Sequence, residues 1–218
     1  MRTELGKIAM LSPELETRAF LGRSVVDIYG RSLGRVIGIE RNAFGELEGV
    51  QVEAAGGHIV TAKARQLGLT PKLITLTPDW KLEAVDIICE LSLLRKRISA
   101  LESLKDSKEI EGEIYTELLE SQKTGYYDKV KTAEALSASM KHRLSEVGSQ
   151  ISSLTRYLVN AKLDHKSGEL DEESLKLAQE SIEPTLHPLI AERNDLAGSL
   201  KTLVEVLPSR VTVSQTRE

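Results

Sequence analysis

Cysteine, aromatic residues and long apolar runs are scarce in this sequence, and each shortage removes a class of protein. One cysteine, Cys89, stands among 218 residues. It excludes an intramolecular disulfide framework and supplies no cluster for zinc; it fits a reducing compartment and reads as a small apolar helix residue. Aromatics are 4% of the chain, with a single tryptophan, which argues against one large globular core. No apolar run approaches the roughly 18 residues of a membrane-spanning helix. The opening "MRTELGKIAMLSPELE" has too short and too charged an apolar stretch for a signal peptide, so a cytoplasmic protein is expected. The four histidines, His58, His142, His165 and His187, are scattered. None has a second ligand at i+4, and no zinc-type or Ser/His/Asp cluster can be argued. The expectation is a non-enzymatic protein with no cofactor, no metal and no catalytic residue.

A strongly basic nucleic-acid footprint is lacking too. Net charge is −4, with residues 1–81 holding 11 Lys and Arg against 9 Asp and Glu, and the rest 18 against 24. The head is mildly basic and the remainder acidic. Arg18, Arg23, Arg31, Arg35 and Arg41 could gather on one face, but solvated surface charge is the expectation.

What is present divides into two patterns. Between Leu21 and Pro78, short β-branched runs ("SVVDI", "SLGRVIGIE", "LEGVQVEA", "HIVTA", "LITLTP") alternate with turn residues, which predicts five strands. Gly30, Asn42 with Gly45, and Gly56 with Gly57 lie where tight connections need positive φ. "GRSLGRVIG" is not a phosphate loop, because a strand rather than a helix follows it. The run "LGRSVVDIYGRSLGRVIGIERNAFGELEGVQVEAAGGHIVTAKARQL", with its Asp-x-x-Gly turn and "x-Gly-x-Val" strand, resembles a PRC-barrel domain. That resemblance implies a small β-barrel and no chemistry.

Pro78 closes the last strand, and Asp79 is expected to cap a helix whose first turn carries Glu83. Ile87, Leu91, Leu94, Ile98 and Leu101 follow at spacings of 4, 3, 4 and 3, a coiled-coil seam. The seam stumbles at "KDSKEIEGE" and again at "KTGYY", where Gly125 weakens a helix. It resumes through Met140, Leu144, Val147, Ile151, Leu154, Leu158 and Ala161. Unbroken helix from Leu82 to His165 would span on the order of 125 Å. Ser167 and Gly168 predict a reversal near 166–171, with acidic residues opening the next helix. Pro184 and Pro188 predict a break or kink in the returning helix. Its seam continues through Leu186, Leu189, Leu196, Leu200, Leu203 and Leu207, with Arg193 in one core slot. Tyr126 and Tyr127 are expected to pack against a neighbouring helix rather than stack on bases, and His142 to be solvated.

After Pro208, Val211 and Val213 alternate with Arg210, Thr212 and Ser214. The tail is either disordered or a strand that pairs with the edge of another protein's sheet. The expected class is α+β, with an extension at 1–20, a PRC-type barrel at 21–80, a coiled-coil region at 81–207 and a partner-binding tail at 208–218. This order resembles the CdvA family of archaeal cell-division proteins. The resemblance implies filaments at the mid-cell division site, built by self-association through the seam residues. It also implies recruitment of an ESCRT-III-like partner, CdvB, whose winged-helix domain binds the segment matching Arg210 to Ser214; contact with the membrane would be indirect, through that partner. DNA association is implied as well. The alternatives are a DNA-associated coiled-coil organiser and a PRC-barrel adaptor in RNA processing or ribosome maturation.

Overall fold

The computed structural model describes residues 18–70 and 73–207. Six strands come first: β1 (Ser24–Asp27), β2 (Ser32–Arg41), β3 (Leu47–Glu53), β4 (Ile59–Lys63), β5 (Leu67–Leu69) and β6 (Ile74–Leu76). Three long helices follow, α1 (Asp79–Asp106), α2 (Gly112–Ser167) and α3 (Glu172–Val206). The class is α+β, as expected. The described residues divide into two compact units, one comprising those up to Leu82 with Val147–Glu192, the other Glu83–Glu146 with those from Arg193 to Leu207.

The first unit contains a six-stranded sheet in the order β4-β3-β2-β1-β6-β5, one strand more than expected. The extra strand is β5, a three-residue piece that "LGL" does not announce because it is shorter than a typical strand. β1 to β4 are joined by antiparallel pairings and β1 meets β6 in parallel. Val25, Val36, Val50 and Val52 from the central strands share one buried core with Ala62 of β4, Leu67 of β5 and Phe20. Because both outermost strands reach that core, the sheet curls round it. At Gly34 (φ +133) a Cβ would lie 1.9 Å from the Glu53 carbonyl oxygen, so only glycine lets β2 approach β3 here.

The helical part of this unit is the α2–α3 hairpin, residues 147–192. Gly168 (φ +84) turns the chain, and Asp171 caps α3 by accepting a hydrogen bond from Ser174 N at 2.7 Å. Of the break or kink expected at the prolines, there is no break: α3 runs through Pro184 and Pro188. Proline frees the carbonyl one turn earlier, here those of Glu180 and Pro184. Glu180 and Pro184 are exposed, so water can take those bonds.

The second unit draws on all three helices. Ala84, Ile87 and Leu91 of α1, Val130, Ala133, Leu136 and Met140 of α2, and Leu196, Leu200 and Leu203 of α3 are buried. The helical region is interrupted at 107–111, within the "KDSKEIEGE" stretch where the seam stumbles, and Lys108 adopts φ 60 there. Residues 105–111 carry no apolar side chain at the seam positions, so burial cannot compensate a longer helix. Gly125, by contrast, does not interrupt α2; it lies opposite Leu94, whose Cδ2 is 3.8 Å from where a Cβ would stand. Asp79 is not the cap expected of it but the first helical residue, and its Oδ1 is buried without a hydrogen-bond partner among the described residues.

Candidate functional site

The seam residues are where the sequence places self-association, and the structure shows how far one chain already covers them. In the second unit Ile87, Leu91, Met140, Leu196, Leu200 and Leu203 are buried where three helical stretches meet. Leu144 is half-buried. Further along α1, where α2 is its only neighbour in the hairpin, Leu94, Ile98 and Leu101 are also half-buried. This hairpin is antiparallel: Lys129 pairs with Glu90, Arg95 Nε donates to Tyr126 OH at 3.3 Å, and the Lys105 ammonium sits 4.4 Å from the Tyr115 ring centroid. Tyr126 therefore packs against a helix, as expected, while Tyr127 is exposed.

In the first unit the α2–α3 hairpin repeats the pattern. Val147 and Leu189 are buried, whereas Ile151, Leu154, Leu158 and Ala161 are half-buried. A two-helix hairpin shields a heptad stripe from one side only. Arg193, expected in a core slot, is exposed; Glu192 beside it is buried instead.

Glu192 belongs to an ionic cluster the sequence reading missed. In the "DIYGR" turn, Asp27 Oδ1 accepts hydrogen bonds from the backbone amides of Tyr29 (3.0 Å) and Arg31 (2.8 Å). Arg31 Nε donates to Asp27 Oδ2 and its Nη1 to Glu192 Oε2, each at 2.6 Å. Both carboxylates are nearly inaccessible to water. Burial by itself would lower the Arg31 pKa, but the hydrogen bonds and charges of Asp27 and Glu192 raise it above the ordinary value, so the cation is fixed. Arg31 also stacks on the Tyr29 ring, 5.5 Å from its centroid. The available signal was an Asp and an Arg four residues apart across a glycine turn; Glu192 lies too far along the chain to be paired from sequence.

The arginine cluster considered for one face of the sheet is thus not wholly solvated. Arg31 is engaged as described, Arg35 pairs with Glu53 at 2.8 Å, and Arg23 and Arg41 donate to the carbonyls of Thr70 and Gly45. Cys89 is an exposed helix residue, and His142 is exposed with Glu146 3.5 Å away. No group of three His, Cys, Asp or Glu residues suited to a metal ion occurs among the described residues, and none of their helices is long and apolar enough to cross a membrane. Arg210, Val211, Thr212, Val213 and Ser214 lie outside the described residues.

Comparison with known proteins adds two findings. The family model of the CdvA-like coiled-coil domain matches residues 79–218, more than half of the chain. Cell division protein A of Sulfolobus acidocaldarius is 26% identical over 200 residues, covering 87% of this chain and 82% of that protein. Coverage of 87% exceeds what the helical region alone supplies, so this likeness extends into the sheet.

Proposed function

Because this chain belongs to the CdvA-like coiled-coil family, we propose that it serves cell division as a non-enzymatic scaffold. In this role it assembles with copies of itself through the helical stripes and recruits an ESCRT-III-like protein through Arg210 to Ser214. One observation carries the assembly half of the reading: Ile151, Leu154 and Leu158 form a heptad stripe that a single chain leaves half-buried. Burying an apolar side chain of this size completely is worth about 1.5–3 kcal/mol, so a further helix has a driving force to cover it. The name of the relative, Cell division protein A, supports the process.

The recruitment half rests on the family match, which runs through the tail to residue 218, and on the alternation of Val211 and Val213 after Pro208. Electron microscopy with sedimentation tests assembly: filaments or oligomers are expected, and a monomer at tens of micromolar would overturn it. Titrating the winged-helix domain of CdvB with full-length protein tests recruitment. Heat of binding is expected for the wild type and none for Val211→Asp with Val213→Asp. A division-site location follows from this reading, with the membrane reached through the partner. A DNA-organising role has less support, since Arg31 and Arg35 of the sheet are already matched by carboxylates.

A further inference from the structure

β4 is an outer strand of the sheet, and its open side has the properties of a template. The turn joining β3 to β4 closes with Ala54 N donating to His58 O at 2.8 Å. Hydrogen-bonded pairs recur at every second residue of an antiparallel ladder, so Val52–Val60 and Val50–Ala62 are the bonded pairs, and Ile59, Thr61 and Lys63 turn their amides and carbonyls away from β3. Lys63 N is taken by Gln66 Oε1 at 2.8 Å. Ile59 and Thr61 have no backbone partner on that side among the described residues. Both are exposed, as is Val60 between them: Ile59 is 62% and Val60 51% accessible. A bare edge with apolar side chains pairs with another chain unless something covers it.

The two faces of β4 specify what fits. Val60 stands on the core side with Ala62, opposite Val52. Ile59, Thr61 and Lys63 stand on the outward side, where Thr61 Oγ1 donates to Glu40 Oε1 at 3.4 Å. A strand added here should carry β-branched apolar residues at every second position, small polar residues between them, and a cation for Glu40. Arg210 to Ser214 has that pattern: Val211 and Val213 continue the Val60 row, Thr212 and Ser214 continue the Thr61 row, and Arg210 brings the cation. No stretch of residues 1–17 alternates β-branched and polar residues in this way. We propose that β4 is a second docking edge for the tail, where Arg210 to Ser214 of one copy adds as a strand to the sheet of another, in competition with the ESCRT-III-like partner.

The inference rests on the recruitment reading above and adds a regulation to it. A tail paired with β4 has its amides satisfied and its valines covered, so it cannot serve the partner at the same time. The apparent affinity for the partner falls with the fraction of tails left free. Because the edge belongs to a different copy, capture rises with the concentration of the chain, and the partner must displace a neighbouring sheet before it is recruited.

A fluorescent peptide of residues 208–218 tests it, titrated with the full-length chain carrying Val211→Asp and Val213→Asp so that no competing tail occupies the edge. Saturable binding is expected by anisotropy. Thr61→Pro in the receiving chain removes an outward amide and spares the Val52–Val60 and Val50–Ala62 bonds; it should weaken binding at least about 10-fold, the scale of one backbone hydrogen bond left unmade. A second measurement alters the peptide alone and cannot unfold the sheet: N-methylation of Val211 or of Thr212. Adjacent amides of a strand face opposite ways, so one methyl should cost at least about 10-fold and the other little. The inference is overturned if the peptide does not bind, if the two methylated peptides bind alike, or if Thr61→Pro with an unchanged circular-dichroism spectrum binds as before. The same peptide titrated with the winged-helix domain of CdvB separates the two readings. Binding there and none to β4 leaves recruitment standing and removes the inference; binding to β4 and none there keeps the edge and removes recruitment.

Discussion

Arg31 stands between two carboxylates that water scarcely reaches, and its value lies in neutralising both at once. Asp27 and Glu192 are buried, and removing the cation takes the shared positive charge away from two carboxylates that water scarcely reaches. Losing one partner of a buried ion pair costs about 3–5 kcal/mol, and since the Arg31 side chain is 29% exposed the expected loss for Arg31→Met is about 2–4 kcal/mol, read from chemical denaturation. Adding Glu192→Leu to that variant should recover part of it, because a buried carboxylate deprived of its arginine goes too. Gly34→Ala is a steric counterpart. The added Cβ meets the backbone of β3 at 1.9 Å, and neither strand can yield without breaking the Arg35–Glu53 and Val36–Val52 pairing. A loss of at least about 3 kcal/mol, or no folded sheet, is expected by circular dichroism. The contrast shows what a sequence discloses at this scale. The turn glycines were legible because φ is a local property, whereas the neighbour that makes Gly34 indispensable is 19 residues away and Glu192 is farther still.

At the scale of elements, α3 is limited by its prolines and anchored by its cap. Each proline inside a helix costs up to about 3 kcal/mol, and Pro184 is exposed, so no packing is lost on replacing it. Pro184→Ala should raise the melting temperature and slow amide exchange around Glu180. The Asp171 cap gives a pH dependence of known sign. Hydrogen bonds from the Ser174 side chain and amide hold its carboxyl below the usual carboxylate value. With the folded pKa below the unfolded one, the cap's contribution is complete above pH ~4 and is lost as pH falls through the folded value. Exchange in the first turn of α3 should accelerate over that acid range, and Asp171→Asn should remove the acceleration. Elements were read well where one local signal decided them, as at "HKSGELD". They were read less well where solvent decided: the break expected at the prolines is absent, because the carbonyls they free meet water.

For the whole molecule, the heptad stripe was visible from its 4,3 spacing, but spacing does not say which chain covers it. Part of the stripe is satisfied within the chain: Met140, Val147 and Leu196 are essentially inaccessible, while Ile151 and Leu158 are half-buried. Substitutions at the two kinds of position should therefore behave differently. Ile151→Asp with Leu158→Asp should abolish oligomers by sedimentation while leaving a helical circular-dichroism spectrum and a cooperative melt. Met140→Asp or Leu196→Asp should unfold the chain before assembly can be measured, since an unpaired charge in a closed core costs more than the fold can spare.

The Arg31–Glu192 pair also has a chronology. Its members are 161 residues apart in the chain, and at a synthesis rate of about 5–20 residues per second they leave the ribosome roughly 8–32 s apart. The sheet has ample time to form during that interval, with Arg31 held by Asp27 and the Tyr29 ring. The contact that ties the sheet to α3 is thus among the last to be made, and a nascent chain arrested short of Glu192 should carry a formed sheet whose arginine is still waiting for its second carboxylate.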